Sequence, residues 1–161
     1  MTCTFAKARL QARTFAPMFS KAFGYALRAI TYIALHCEDG KRISLQEVSE
    51  HLAVPHHFLG KIMQDLVHHG IIDSAKGPTG GFFVNARTCD YHLIEVLKIT
   101  DGSQVLNSCV MGIRHCNAER PCPLHHDFAS CKNGMIRALE EKTVRMLAED
   151  VKAGGSFLIR E

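Results

Sequence analysis

Three cysteines crowd one short stretch of this 161-residue chain: Cys109, Cys116 and Cys122, in the pattern C-x6-C-x5-C. Pro123 and Leu124 then lead to His125, which extends the pattern by C-x2-H. Thiolates are the usual ligands of iron–sulfur clusters, and spacings of this length let three sulfurs wrap one cluster. A zinc site more often shows a tight C-x2-C pair, although zinc stays open on spacing alone, as do paired or redox-sensing thiols. Gly112 and Pro121 suit a loop that bends around a metal. Three thiolates leave one terminal position on a two-iron cluster, and imidazole can replace thiolate there. His125 is the candidate, with His126 and Cys131 ranked below it. Cys131 falls on a helical stretch where a free Cys is often simply packed. Cys3, Cys37 and Cys89 read as inert.

A cluster loop needs a scaffold. Nearly half of the residues (47%) are apolar and 22% are charged, an ordinary globular composition rather than a disordered one. No apolar run reaches the roughly 18–20 residues that span a bilayer, and no secretory signal opens the chain. Seven Cys in such a chain point to metal or thiol chemistry in a reducing, cytoplasmic setting rather than to structural disulfides. The net charge of +3 is uneven: the first 87 residues hold ten Lys and Arg against six acids, the rest nine against ten. A basic first half permits an anionic partner such as nucleic acid.

Residues 1–17 form an N-terminal extension, disordered or non-native, in which no acid appears. Either an organelle transit peptide or an upstream-extended start, with Met18 the natural first residue, accounts for it. Residues 18–88 read as a DNA-binding winged helix-turn-helix. A first helix, about Lys21 to His36, carries Phe23, Leu27, Ile30 and Ala34 at helical spacing. A second opens at Ser44, with Glu47 completing an S-x-x-E capping box and Leu45, Val48 and Leu52 as its stripe. A third spans about Pro55 to His69, with Phe58, Leu59, Ile62, Met63 and Leu66 on its apolar side. Two helices joined by a short turn, then strand (from Ile71-Ile72), Gly/Pro-rich turn (Lys76 to Gly81) and strand (Phe82 to Val84), make a helix-turn-helix with a wing. Residues 89–126 hold a linking helix, about Leu93 to Thr100, and the Cys-rich loop. Residues 127–161 read as one long dimerisation helix, about Asp127 to Lys152, striped by Phe128, Met135, Leu139, Met146 and Val151, and a tail. The fold class expected is mainly α with a small β-wing.

The third helix fits a major groove, which admits one α-helix. Its outer face would present His56, His57, Lys61, Gln64 and His68. Gln can bond an adenine edge in pairs, and Lys a guanine or a phosphate. The wing tip offers Lys76, Thr79 and the small residues Gly77, Gly80 and Gly81, which let backbone approach the sugar–phosphate rail. An enzyme is not expected: there is no nucleophile–base pairing, no phosphate-binding glycine loop and no H-E-x-x-H.

Phe23-Gly24-Tyr25-Ala26-Leu27-Arg28-Ala29, Val54 to Ile62, Lys76 to Phe82, Ile99-Thr100-Asp101-Gly102 and the three-Cys loop ending Cys122-Pro123-Leu124-His125 stand in one order. In that order they resemble the Rrf-type bacterial winged-helix regulators, from about Met18 to Lys152. The resemblance implies a homodimer built on the C-terminal helix, with Tyr25 and Arg28 added to the DNA-binding set. It implies a double-stranded operator of dyad symmetry, repression set by cluster state, and no small-molecule substrate. One branch of the family takes its fourth ligand from an Asp just before the Tyr of the first helix; Gly24 stands there. Another uses a His three residues after the third Cys, where His125 stands, which favours a 2Fe-2S over a 4Fe-4S cluster. The first Cys spacing is one residue longer than the family's, and Gly60 replaces a glutamate that filters operators.

Overall fold

The computed structural model describes residues 19–37, 41–154 and 158. The N-terminal extension, Cys3 and Met18 lie outside the described residues, as do Glu38, Asp39 and Gly40 of the turn after the first helix. The chain is mainly helical. In order come α1 (Lys21–His36), α2 (Leu45–Leu52), α3 (His56–His68), β1 (Asp73–Ala75), β2 (Gly81–Phe83), α4 (Ala86–Asp90), α5 (Leu93–Asp101), α6 (Gln104–Asn107), α7 (His125–Glu141) and α8 (Val144–Lys152). The two strands pair antiparallel, with Asp73 opposite Phe83 and Ala75 opposite Gly81. Among the described residues no helix is long and apolar enough to cross a membrane.

Helix α1 is the hub, packing against α2, α3, α5 and α8. It starts where Ser20 Oγ accepts the Phe23 N–H at 3.2 Å, satisfying one of the helix's orphan donors. The Ser20 N–H in turn donates to Asp101 Oδ2 at 2.7 Å, which ties the start of α1 to the end of α5. Because neighbours surround it, α1 buries more than the expected stripe: Ala26, Ala29, Tyr32 and Ile33 join Phe23 and Ile30, while Leu27 and Ala34 sit at the margin. In α2, Ser44 Oγ takes the Glu47 N–H at 3.1 Å as expected. The Glu47 carboxylate, however, accepts from the Tyr32 hydroxyl at 3.3 Å and pairs with Lys41 at 3.5 Å. Tertiary partners outcompete the return contact of the capping box. That reciprocal box occurs instead at Asn85 and Thr88, at the start of the short helix α4. Ile71 and Ile72 are buried just before the wing, whose first strand starts at Asp73.

The single long helix expected from Asp127 to Lys152 is two helices. Lys142 and Thr143 are extended between them. Thr143 makes an isolated bridge to His92. The Leu93 N–H donates to the Lys142 carbonyl at 2.9 Å and the Val144 N–H to the Tyr91 carbonyl at 3.1 Å. Thr143 Oγ1 then caps α8 by accepting the Met146 N–H at 3.3 Å. A β-branched residue with a capping hydroxyl, paired across to another segment, ends the helix that periodicity alone would continue. The break lets α8 fold back on α1, burying Val144. Thr143→Ala is expected to cost about 1 kcal/mol, a typical loss for a removed cap; urea denaturation would read this as a lower midpoint at constant slope.

Candidate metal centre and nucleic-acid interface

The three-Cys loop leaves α6, and its last Cys stands three residues before the start of α7. The Sγ atoms of Cys109, Cys116 and Cys122 all lie within 4.8 Å of one another. Cys109 and Cys122 are 3.6 Å apart, sulfur to sulfur. Two thiolates on one tetrahedral metal, with metal–sulfur bonds of about 2.3 Å, would stand about 3.8 Å apart. The spacing therefore fits shared metal ligation. His125 turns Nδ1 to 3.1 Å from Cys116 Sγ, so all four sequence candidates converge. Cys116 Sγ also accepts the Cys122 N–H at 3.3 Å.

The local field favours thiolate at Cys109. Cys109 is held down to about 7, chiefly by the backbone N–H of Ile113 and also by that of Met111 and the neighbouring thiols, against the opposing effect of burial. Burial pushes Cys122 the other way, aided by its sulfur neighbours, with the Leu124 backbone opposing. The N-terminus of α7, which opens at His125, carries the positive end of a 17-residue helix dipole toward these sulfurs. These features suit an anionic, thiolate-ligated group: N–H donors aimed at sulfur and no carboxylate in the set.

His126 stacks edge-on to His125, ring centroids 5.2 Å apart, and does not join the sulfurs. Cys131 is exposed on α7 and lines the same groove as the three cysteines. That groove, about 160 Å³, also takes in Phe128, Met135 and Lys132. Cys37 and Cys89 are half-buried free thiols outside it. Around the centre the surface is apolar: Val110, Met111 and Ile113 are each about half exposed, and Leu124 and Phe128 little less. No residue of α7 is buried, so the expected stripe of the C-terminal helix faces outward at Phe128.

On α3, the apolar positions Leu59, Ile62, Met63 and Leu66 are buried, and His56, His57, Lys61, Gln64 and His68 are all exposed. The helix therefore presents the expected polar row. Phe58 is instead 38% exposed, at the start of that row. Tyr25 packs edge-to-face against it at 5.7 Å, and the Arg28 guanidinium sits 4.9 Å over the Tyr25 ring. The two α1 residues are thereby held beside the N-terminal turn of α3. At the wing, Lys76 and Thr79 are exposed and Gly80 is half-buried. The wing glycines have an internal reason to be glycine. A Cβ on Gly80 would collide with the Ala75 carbonyl and stand 2.8 Å from that of Gly77. Gly81, at φ +155°, would place one 2.7 Å from the Ile43 carbonyl. Ile43 and Phe82 exchange hydrogen bonds of 2.9 and 2.8 Å, a one-residue third strand that sequence reading missed. With it comes Arg42, which borders a surface hollow with Pro78, Thr79 and Gly80. The only sequence signal for it was a basic pair, Lys41-Arg42, before the Ser44 cap.

The family model for Rrf2, described as an iron-dependent transcriptional regulator, matches residues 19–150. The chain belongs to the Rrf2 family. Among relatives of this Rrf2 protein, one from Aquifex aeolicus, provisionally named an HTH-type transcriptional regulator, is 26% identical over 132 residues, covering 81% of this chain and 90% of its own. The HTH-type transcriptional regulator IscR of Photorhabdus laumondii is 27% identical over 101 residues, covering 63% of this chain and 60% of its own. Two solved structures share the fold. CymR, the global cysteine regulator of B. subtilis, has a TM-score of 0.67 at 16% identity, covering 81% of this chain and 95% of its own. T. potens IscR has a TM-score of 0.65 at 15% identity, covering 86% and 90%. The fold is thus that of the family's winged-helix regulators, and this Rrf2 chain is a transcriptional regulator.

Proposed function

We propose that this regulator is a DNA-binding homodimer, acting as a repressor, whose operator binding is set by an iron–sulfur cluster, 2Fe-2S in preference to 4Fe-4S. Cys109, Cys116 and Cys122 hold the cluster and His125 supplies the fourth ligand. The observation that carries this reading is the convergence of the three Sγ atoms within 4.8 Å, with His125 Nδ1 3.1 Å from one of them. When bound, such a cluster supplies a redox-active centre that oxidants, nitric oxide or iron loss can change. The chain's residues do the rest. The Ile113 and Met111 N–H groups stabilise the Cys109 thiolate, and the α7 terminus opens beside the cysteines. Ligation orders the loop, and with it the apolar face of Val110, Met111, Ile113 and Phe128, which a second copy of the chain covers. Residues 18–88 act as the DNA-binding unit, residues 89–126 as link and cluster loop, and residues 127–161 as the dimerisation segment.

His56, His57, Lys61 and Gln64 face the major groove, Tyr25 and Arg28 support its edge, and Lys76, Thr79 and Gly80 meet the backbone at the wing. The target is a double-stranded operator with dyad symmetry, as a two-fold dimer requires. Gln64→Ala is expected to cost about 1–3 kcal/mol at one operator base pair and to relax the preference there. Selection of bound sequences from a random duplex pool, before and after the substitution, reads this directly.

One observation favours a second reading. Cys109 and Cys122, at 3.6 Å, stand within a small movement of a disulfide, and a CymR structure of the same fold is described as an oxidized form. In that reading the thiols act by disulfide exchange, or three thiolates and His125 hold zinc, and no iron is involved. The deciding experiment is anaerobic purification with visible absorption, iron and sulfide assays. A brown protein with matched iron and sulfide supports the cluster. A protein still colourless after anaerobic reconstitution overturns it and leaves zinc or disulfide chemistry.

A further inference from the structure

Residues 42 and 43 are remote from the hairpin in sequence yet belong to the wing in space. Ile43, fully buried, donates its N–H to the Phe82 carbonyl at 2.9 Å and accepts the Phe82 N–H at 2.8 Å. This pair of hydrogen bonds to the middle of β2 fixes the backbone next to Arg42. The Arg42 side chain is exposed, its guanidinium 5.9 Å from the Phe83 ring centroid. A cation over a ring face is weakly held there, which restricts the flexible stem without consuming its N–H donors. Arg42 borders one shallow hollow with Pro78, Thr79 and Gly80. Among the described residues no carboxylate pairs with Arg42, whereas its neighbour Lys41 is engaged by Glu47 at 3.5 Å. The Thr79 hydroxyl, on the same hollow, makes no hydrogen bond within the described residues. A guanidinium-bearing residue and a hydroxyl without a partner among the described residues line one hollow at the edge of the hairpin, and both are donors of the kind an oxyanion takes. A planar fork of five N–H donors suits a phosphodiester better than an ammonium does.

We infer that Arg42 and Thr79 form a phosphodiester-binding site on the wing, which anchors the hairpin to the sugar–phosphate backbone of duplex DNA. The inference rests on the DNA-binding reading above and adds to it a residue that lies on neither the recognition helix nor the hairpin. The site carries register rather than sequence, since phosphate contacts position a protein without reading bases.

The test uses the full chain and a fluorescein-labelled random-sequence 30-bp duplex, with anisotropy titrations across a range of NaCl concentrations. Each lost phosphate contact should lower the slope of log affinity against log salt by about 0.9. Arg42→Gln should therefore weaken binding several-fold at low salt and flatten that slope, by about twice this amount if both wings of a dimer engage. Arg42→Lys should keep the slope, because the charge stays, and lose part of the affinity. Thr79→Ala should weaken binding with no change in slope. If the unsubstituted chain binds and Arg42→Gln leaves slope and affinity unchanged, the site is overturned while the DNA-binding reading stands. If Arg42→Gln fails to fold, Arg42→Lys decides, and undiminished affinity in that variant overturns the guanidinium site. If the unsubstituted chain binds no duplex at any salt concentration, the DNA-binding reading itself falls and the site with it.

Discussion

Cys116→Ala is expected to abolish the visible absorption of the anaerobically reconstituted protein and to leave its helical content and thermal unfolding close to those of the unsubstituted chain. Cys116 is the sulfur at which the centre's contacts meet. Its Sγ accepts the Cys122 N–H at 3.3 Å and faces His125 Nδ1 at 3.1 Å. Removing it leaves two thiolates and one imidazole, so one iron of a two-iron cluster is left short of a terminal ligand. The fold is spared because the loop contributes little to the core: the buried cluster of apolar side chains comes from α1 to α3, the residues at the wing, α5 and Val144. Cys131→Ala is the matched control, since that thiol is exposed and outside the trio. Absorption with iron and sulfide analysis measures the first half, circular dichroism the second. A Cys116→Ala protein that keeps the full spectrum would remove Cys116 from the ligand set.

The same chemistry explains why the cysteines were legible from sequence and the last helix was not. Ligands of one metal must come from a few residue types, and a short loop limits how far apart they fold. Cys109, Cys116, Cys122 and His125 therefore stand out in a linear reading and meet in space. The helix-turn-helix was legible for a different reason. It carries a start signal of its own at Ser44 and a 3.6-residue apolar period. What failed were the features decided by partners distant in sequence. Thr143 ends α7 because His92, some fifty residues earlier, offers it a backbone partner. Glu47 leaves its capping role because Tyr32 and Lys41 lie within reach. Arg42 joins the wing because Ile43 pairs with Phe82 across forty residues of chain. Periodicity carries no information about such pairings. It reports which face of a segment is apolar, not which neighbour will satisfy its backbone.

Helix α3 gives the sharpest separation of stability from recognition, and Leu66→Ala is where the stability side shows. Leu66 is fully buried with Leu59 and Met63 in the core that α1, α3 and α5 share. Truncating a buried leucine removes its transfer energy and leaves a cavity that its neighbours only partly fill, at a cost of about 2–5 kcal/mol. A small domain holds only about 5–15 kcal/mol in total. The variant should therefore unfold at a much lower urea concentration with an unchanged slope, because the surface exposed on unfolding is nearly the same. Gln64 lies two residues away, about 200° around the helix, and is exposed. Its substitution should leave the urea midpoint alone while changing which duplexes are bound. If Leu66→Ala left the midpoint unmoved, α3 could not be packed as described, and the outward row of His57, Lys61 and Gln64 would lose the scaffold that aims it. The two substitutions together test whether one helix supports the fold with one side and reads DNA with the other.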